Sequence, residues 1–232
     1  MKIGIIAAEP EEMLAIKEKM TYATKQEYFD LQFYEGEING KRCTLVECGV
    51  GKVNAARTTQ LLIDRFYVDC VINVGSAGAT TDQHNVGDII IGSKLVQYDF
   101  DITDIGDYEK GEICGIGKYF FSNDRLIYQC EQAIKELPSE EYHAIVGSIG
   151  TADQFCAKPE LSKKINEEFG VDCLEMEGAA VAQVCTQCKL PFVVIRGISD
   201  TPNGNNKVDF HTYLELASKR AAMIVEKLIN KI

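Results

Sequence analysis

Residues 175–200 narrow the possible folds of this chain more than any other stretch. Glu175-Met-Glu177 opens a run of small and apolar residues at helical spacing from Gly178 to Cys188. Pro191 ends that run, and a β-branched segment, Phe192 to Ile195, leads into Arg196-Gly-Ile-Ser-Asp200. A helix this rich in small residues packs close against a sheet. A strand apolar at consecutive positions is covered on both faces, as parallel strands flanked by helices are. In open α/β sheets, ligands sit just beyond the carboxyl ends of strands. Arg196 and Asp200, together with the acids at the preceding helix start, are therefore placed for chemistry.

The remainder alternates in the same way. Lys2 to Ala8 reads as a buried strand, and Met13 to Met20 has helical spacing behind Glu9-Pro10-Glu11-Glu12. Pro suits a first helical turn, and acids there complement the helix dipole; alternatively, one of these acids faces a strand-end crevice. Gln32–Ile38 and Arg42–Cys48 flank Asn39-Gly40, a hairpin signal. Gly49-Val-Gly-Lys52 then opens a helix to about Phe66. Phosphate-loop spacing and the following Ser or Thr are missing, so a tight turn is the better reading. Cys70 to Gly78 is a third buried strand, and Ser76 in its small-residue end offers a hydroxyl. Asp88–Val96 is a further strand, and Gly106–Phe121 is an unpatterned loop or subunit contact. Asn123-Asp124 caps a helix reaching Leu137, and Ala144–Ile149 is a strand leading to Phe155. Phe155 is either core or a stacking surface for a flat ligand. Pro159–Phe169 is a polar helix, Asn203–Lys207 a flexible loop, and a last helix runs from Asp209.

Composition removes several function classes. The 232 residues suffice for one α/β domain. With 24 basic and 35 acidic residues the net charge is −11, which repels nucleic-acid backbone and anionic membrane. No apolar run suits a signal peptide or a membrane span, so a cytoplasmic location is expected. The 9 cysteines are odd in number and scattered, and several (Cys43, Cys48, Cys70 and Cys173) sit in apolar strand or helix patterns, which fits small buried hydrophobes rather than a disulfide framework. The 3 histidines share no ligand spacing, so no metal site is expected.

Short motifs in a fixed order add a family resemblance. Lys2-Ile-Gly-Ile-Ile with Glu11-Glu12, Gly49-Val-Gly-Lys-Val-Asn54, Asn73-Val-Gly-Ser-Ala-Gly78, Val86-Gly-Asp88, Glu175-Met-Glu177 and Arg196-Gly-Ile-Ser-Asp200 span nearly the whole chain. Together they resemble the bacterial 5′-methylthioadenosine/S-adenosylhomocysteine nucleosidases of the nucleoside phosphorylase/hydrolase superfamily. The resemblance implies one catalytic domain over residues 1–232, a three-layer α/β/α fold with a central mixed, twisted sheet. It implies hydrolysis of a purine N-glycosidic bond without a cofactor, the partners being a small purine nucleoside and water. By the same resemblance, Asp200 is the acid that protonates the leaving adenine and Glu12 the base that activates water. Glu177, beside Glu175, holds the ribose hydroxyls. Ser76 and Arg196 hold the water and Glu12, Ser199 supports Asp200, and Met176 packs on the ribose. Phe155 stacks on adenine, while Gly78 and the main chain of Cys156 border the base. Val50 and Phe210 line the 5′-alkylthio pocket. Family members are homodimers, and Ile102 matches a residue reaching into the neighbour's site.

One departure stands out. Family members usually read Ala-Met-Glu-Glu-Glu where this chain has Ala8-Glu9-Pro10-Glu11-Glu12. Glu9 thus becomes a rival base, although spacing favours Glu12. Three other functions fit the sequence less well. A phosphorylase needs a cationic cradle for phosphate; hexameric phosphorylases carry an Arg where this chain has Asn73, and residues 7–12 contain three glutamates and no Lys or Arg. A non-catalytic nucleoside binder on the same fold could lose Glu12 or Asp200, yet both are present. A dinucleotide oxidoreductase needs a G-x-G-x-x-G after the first strand, and none follows it.

Overall fold

A computed structural model describes residues 1–137, 143–204 and 206–232. In chain order its elements are β1 (Lys2–Ala7), α1 (Pro10–Lys17), β2 (Thr21–Tyr28), β3 (Leu31–Ile38), β4 (Lys41–Glu47) and α2 (Lys52–Phe66). There follow β5 (Cys70–Ala79), β6 (Ile89–Gln97), a short 3-10 turn (Thr103–Ile105), β7 (Tyr119–Phe121), α3 (Asp124–Ile134) and β8 (Ala144–Thr151). The last are α4 (Pro159–Phe169), β9 (Cys173–Glu175), α5 (Gly178–Gln187), β10 (Phe192–Asp200) and α6 (Asn206–Lys231).

Among the described residues, all ten strands belong to one mixed sheet. β1 lies parallel between β4 and β5, and β10 runs parallel to β5 but antiparallel to β6. Because β10 pairs with both β5 and β6, the path β5–β9–β8–β6–β10 closes on itself. The closure brings the ends of β5, β9 and β10 together around one crevice.

Strand side chains alternate between two cores, as a period of two requires. Ile3, Ile5, Cys70, Ile72, Val74, Val193 and Ile195 pack with Ile16 of α1, Leu126 of α3 and Ala221, Val225 and Ile229 of α6. Ile6, Val71, Val194 and Ile198 pack on the other face with Leu62 of α2 and Ala179, Val181 and Cys185 of α5. Helices thus cover both faces of the sheet. Each fully buried Ile or Val contributes about 1.5–3 kcal/mol of transfer free energy, so the strand runs anchor the layers.

Three short or polar strands escape the sequence patterns. β2 is exposed along most of its length and is held by backbone pairing to β3, so it has no apolar face to read. β7 and β9 are three residues each, too short for periodicity, and β7 lies inside the segment expected to be a loop. α1 ends at Lys17 rather than Met20, because i→i+3 bonds from Lys19 and Met20 tighten the chain into β2. α3 stops at Ile134 rather than Leu137, capped at its start by Asn123, whose side chain accepts the Leu126 N–H. At the expected loop over Asn203–Lys207, Asn205 lies outside the described residues, and helix α6 already begins at Asn206.

Candidate active site

The strand ends converge on a cavity of about 210 Å3. The β1–α1 junction supplies Ala8, Glu9 and Glu12; β5 supplies Ser76, Ala77 and Gly78; the β9–α5 junction supplies Glu175, Met176 and Glu177; β10 supplies Ser199 and Asp200. Val50, Phe155 and Phe210 complete the wall. A narrow recess of about 30 Å3 continues past Asp200, bordered by Gly78, Phe155, Cys156 and Met176.

Asp200 owes its position to a bulge. Ile198 pairs with Ala77, yet Asp200 pairs with the next residue, Gly78, so Ser199 is the extra residue on β10. Regular alternation would put Asp200 on the face of buried Ile198; the bulge turns it to the other side, into the cavity. A Cβ at Gly78 would stand 2.7 Å from Asp200 Oδ2, so the carboxylate occupies space that any side chain at residue 78 would claim. The Ser199 hydroxyl donates to Asp200 Oδ1 at 2.7 Å.

Glu12 is buried and accepts four hydrogen bonds. Ala8 N–H (3.0 Å) and Glu9 N–H (3.2 Å) donate to Oε2; Ser76 N–H (2.8 Å) and the Ser76 hydroxyl (3.0 Å) donate to Oε1. Gly75 permits this approach, because a Cβ there would lie 2.8 Å from Glu12 Oε1 and 2.7 Å from an Arg196 amino nitrogen.

Arg196 lies beneath the cavity floor, fully enclosed. It donates to Asn73 Oδ1 at 2.7 Å and to Glu175, and it sits 3.8 Å from Glu177 Oε2. Burial alone would lower its pKa, but Glu175, Glu177 and Glu12 outweigh that and hold it protonated. Glu175 turns its carboxylate to this arginine and also accepts from the Thr151 hydroxyl, Glu177 N–H (3.0 Å) and Gly178 N–H (2.6 Å). Glu177 accepts from Gly51 N–H at 2.9 Å, and burial, followed by the charge of Glu175, pushes its pKa up to about 8. Glu9, half-buried, is also raised, first by burial and then by Glu12, Glu11 and Glu47.

Asp200, Glu12, Glu177, Ser76, Ser199, Met176, Phe155, Val50, Gly78, Phe210 and Glu175 thus share one cavity wall. Cys156 borders only the recess, and Arg196 acts from behind the wall. Ile102 lies outside the cavity, at the start of the 3-10 turn. Asn73 and Thr151 were not anticipated as site residues. A polar residue inside an otherwise apolar strand, as Asn73 is, was the available signal. Also unforeseen is a brace at the rim: Lys52 donates to Asp99 at 2.6 Å, while Asp153 accepts Lys52 N–H at 2.8 Å and donates its own N–H to Asp99 at 3.0 Å. It ties the start of α2 to the loop carrying Phe155.

Among the described residues, no group of three or more His, Cys, Asp or Glu could hold a metal ion, and no helix is long and apolar enough to cross a membrane. The arrangement sets the Asp200 carboxyl at the border of the recess, the Glu12 carboxyl against the Ser76 hydroxyl, and the Glu177 carboxyl on the wall of the same cavity. Such a set can donate a proton to a leaving group, take one from water and stabilise positive charge in between.

Residues 2–230 match the family model of the phosphorylase superfamily. The 5′-methylthioadenosine/S-adenosylhomocysteine nucleosidase of Bacillus subtilis is 37% identical over 233 residues, covering 100% of both chains. The structure of such a nucleosidase from Neisseria meningitidis, in complex with methylthio-immucillin-A, superposes with a TM-score of 0.95 at 34% identity, covering 100% of this chain and 99% of that one. That of Colwellia psychrerythraea, in complex with adenine, gives 0.94 at 38% identity, covering 100% and 95%.

Proposed function

Because this chain belongs to the phosphorylase superfamily and, within it, to the 5′-methylthioadenosine/S-adenosylhomocysteine nucleosidases, we propose that it hydrolyses the N-glycosidic bond of these nucleosides, releasing adenine and the 5′-substituted ribose. The observation carrying this reading is the convergence of Asp200, Glu12 and Glu177, far apart in sequence, on one cavity.

Protonated Asp200 gives its proton to N7 of adenine, held in the recess beside Phe155. The C1′–N9 bonding pair then flows into the base, and the ribose becomes oxocarbenium-like. Glu177 accepts hydrogen bonds from the ribose hydroxyls, and its partial negative charge favours the cation forming beside it. Water attacks C1′ and passes a proton to Glu12; solvent returns the protons to their starting places. The Ser76 hydroxyl fills one acceptor position of Glu12. A hydroxyl rotates freely, so water can take that position and bond to Ser76 in turn. Phosphate is a poor rival nucleophile: Arg196 is already matched by Glu175 and Asn73, and no Lys or Arg lines the cavity among the described residues.

Adenine release in phosphate-free buffer tests the reading, and strict phosphate dependence overturns it. Asp200→Asn removes the transferable proton and should lower kcat by about 10²–10⁴-fold; retained turnover would take Asp200 out of its role.

We further propose that two copies pair through the segment carrying Ile102. Exposed Ile105 and Ile116 on the same segment support this, since apolar side chains are stabilised by cover. Sedimentation equilibrium returning a monomer at micromolar concentration would refute it.

A further inference from the structure

The end of the cavity away from Asp200 has no part in the bond cleavage above. Glu9, Val50 and Phe210 line the large cavity, as Glu12 and Glu177 do, and none of them borders the recess beyond Asp200; Glu9 in addition feels the charge of His211. An open apolar hollow of about 280 Å3 continues from them, between Phe155, Ala157, Phe210 and His211. With the base in the recess and the ribose over Glu177, this end receives whatever the nucleoside carries at its 5′ carbon.

Two unlike surfaces meet there. One is apolar: Val50 is 42% exposed and Phe155 44% exposed, and Phe155 meets Phe210 edge-to-face at 5.5 Å. A thioether and a short methylene chain fit such a wall. The other is a single carboxylate, Glu9, which the mechanism leaves unused. Burial and the neighbouring Glu12, Glu11 and Glu47 all disfavour its negative charge, and among the described residues His211 opposes them. No Lys or Arg lines the cavity among the described residues. A cation arriving on the ligand would relieve that repulsion, whereas an anion would add to it.

We propose that Glu9 selects the 5′ substituent, favouring adenine nucleosides whose thioether chain ends in an ammonium and disfavouring those whose chain carries only a carboxylate. The inference rests on the nucleosidase reading and deepens it. A chain bearing both groups, as homocysteine does, falls between the two, its ammonium at Glu9 and its carboxylate toward solvent.

The experiment compares kcat/KM for three 5′-thioadenosines: the 3-aminopropyl compound, S-adenosylhomocysteine and the 3-carboxypropyl compound, with methylthioadenosine as the uncharged reference. The wild-type protein should prefer the aminopropyl over the carboxypropyl compound by about tenfold, since attraction for one and repulsion of the other both enter the ratio at a partly exposed site. In Glu9→Gln and Glu9→Met the ratio should fall to within about threefold. Added salt should compress the wild-type ratio in the same direction, a readout that needs no variant. A wild-type ratio near one, or a ratio unmoved by both substitutions and by salt, overturns the inference while adenine release stands. Failure to release adenine from any of the four, methylthioadenosine included, instead overturns the nucleosidase reading.

Discussion

Replacing Arg196 with methionine should destabilise the protein by about 3–5 kcal/mol, the cost of leaving a buried charge unpaired. The side chain of Arg196 is 1% exposed and that of its partner Glu175 2% exposed, so water cannot take over the lost contact. Glu175 would keep the Thr151 hydroxyl and two backbone N–H donors, which moderates its share. Glu177, with a side chain 8% exposed, would keep the Gly51 N–H. Methionine fills most of the arginine stem, so cavity creation adds little. At about 2–4 °C per kcal/mol for a chain of this size, the thermal midpoint should fall by roughly 6–20 °C. Scanning calorimetry at neutral pH, paired with urea titration, measures it. The double variant Arg196→Met with Glu175→Gln should recover part of the loss, because the stranded charge goes with its partner. A single variant within about 2 °C of wild type, with an unchanged urea midpoint, would refute the ion-pair account of the cavity floor.

Gly78→Ala should leave the fold intact but lower kcat by about 10²-fold, since a Cβ placed 2.7 Å from Asp200 Oδ2 displaces that carboxylate; steady-state kinetics with unchanged kcat would show that the close approach is irrelevant. Glu177 should make ligand-free stability depend on pH in a defined direction. Its folded pKa is raised to about 8, so its stabilising contribution is full below the ordinary carboxylate pKa and is lost as pH rises through 8. The thermal midpoint of wild type relative to Glu177→Gln should therefore decline from pH 5 to pH 9, and a flat difference between the two would contradict the raised pKa.

The amino-acid order by itself determined the layers. Consecutive apolar positions in β1, β5 and β10 require cover on both faces, and their alternation with helical segments such as the small-residue run of α5 makes two layers of helices the cover, so an α/β architecture is legible in the sequence. The motifs and the resemblance they carry also named most of the residues that line the cavity, although Arg196 lies behind its wall and Ile102 outside it. Strands such as β2 were not readable, because backbone pairing to a neighbour leaves no periodic mark when neither face is buried. What only the tertiary structure decided is the direction in which the charges point. Alternation along β10 would have sent Asp200 to the side of Ile198; one extra residue against β5 reverses it, and that register is set by a partner strand more than a hundred positions away. The saturation of Glu175 by Arg196, the exclusion of that arginine from the cavity and the place of Glu9 on its wall depend likewise on contacts between distant segments, which local pattern does not encode.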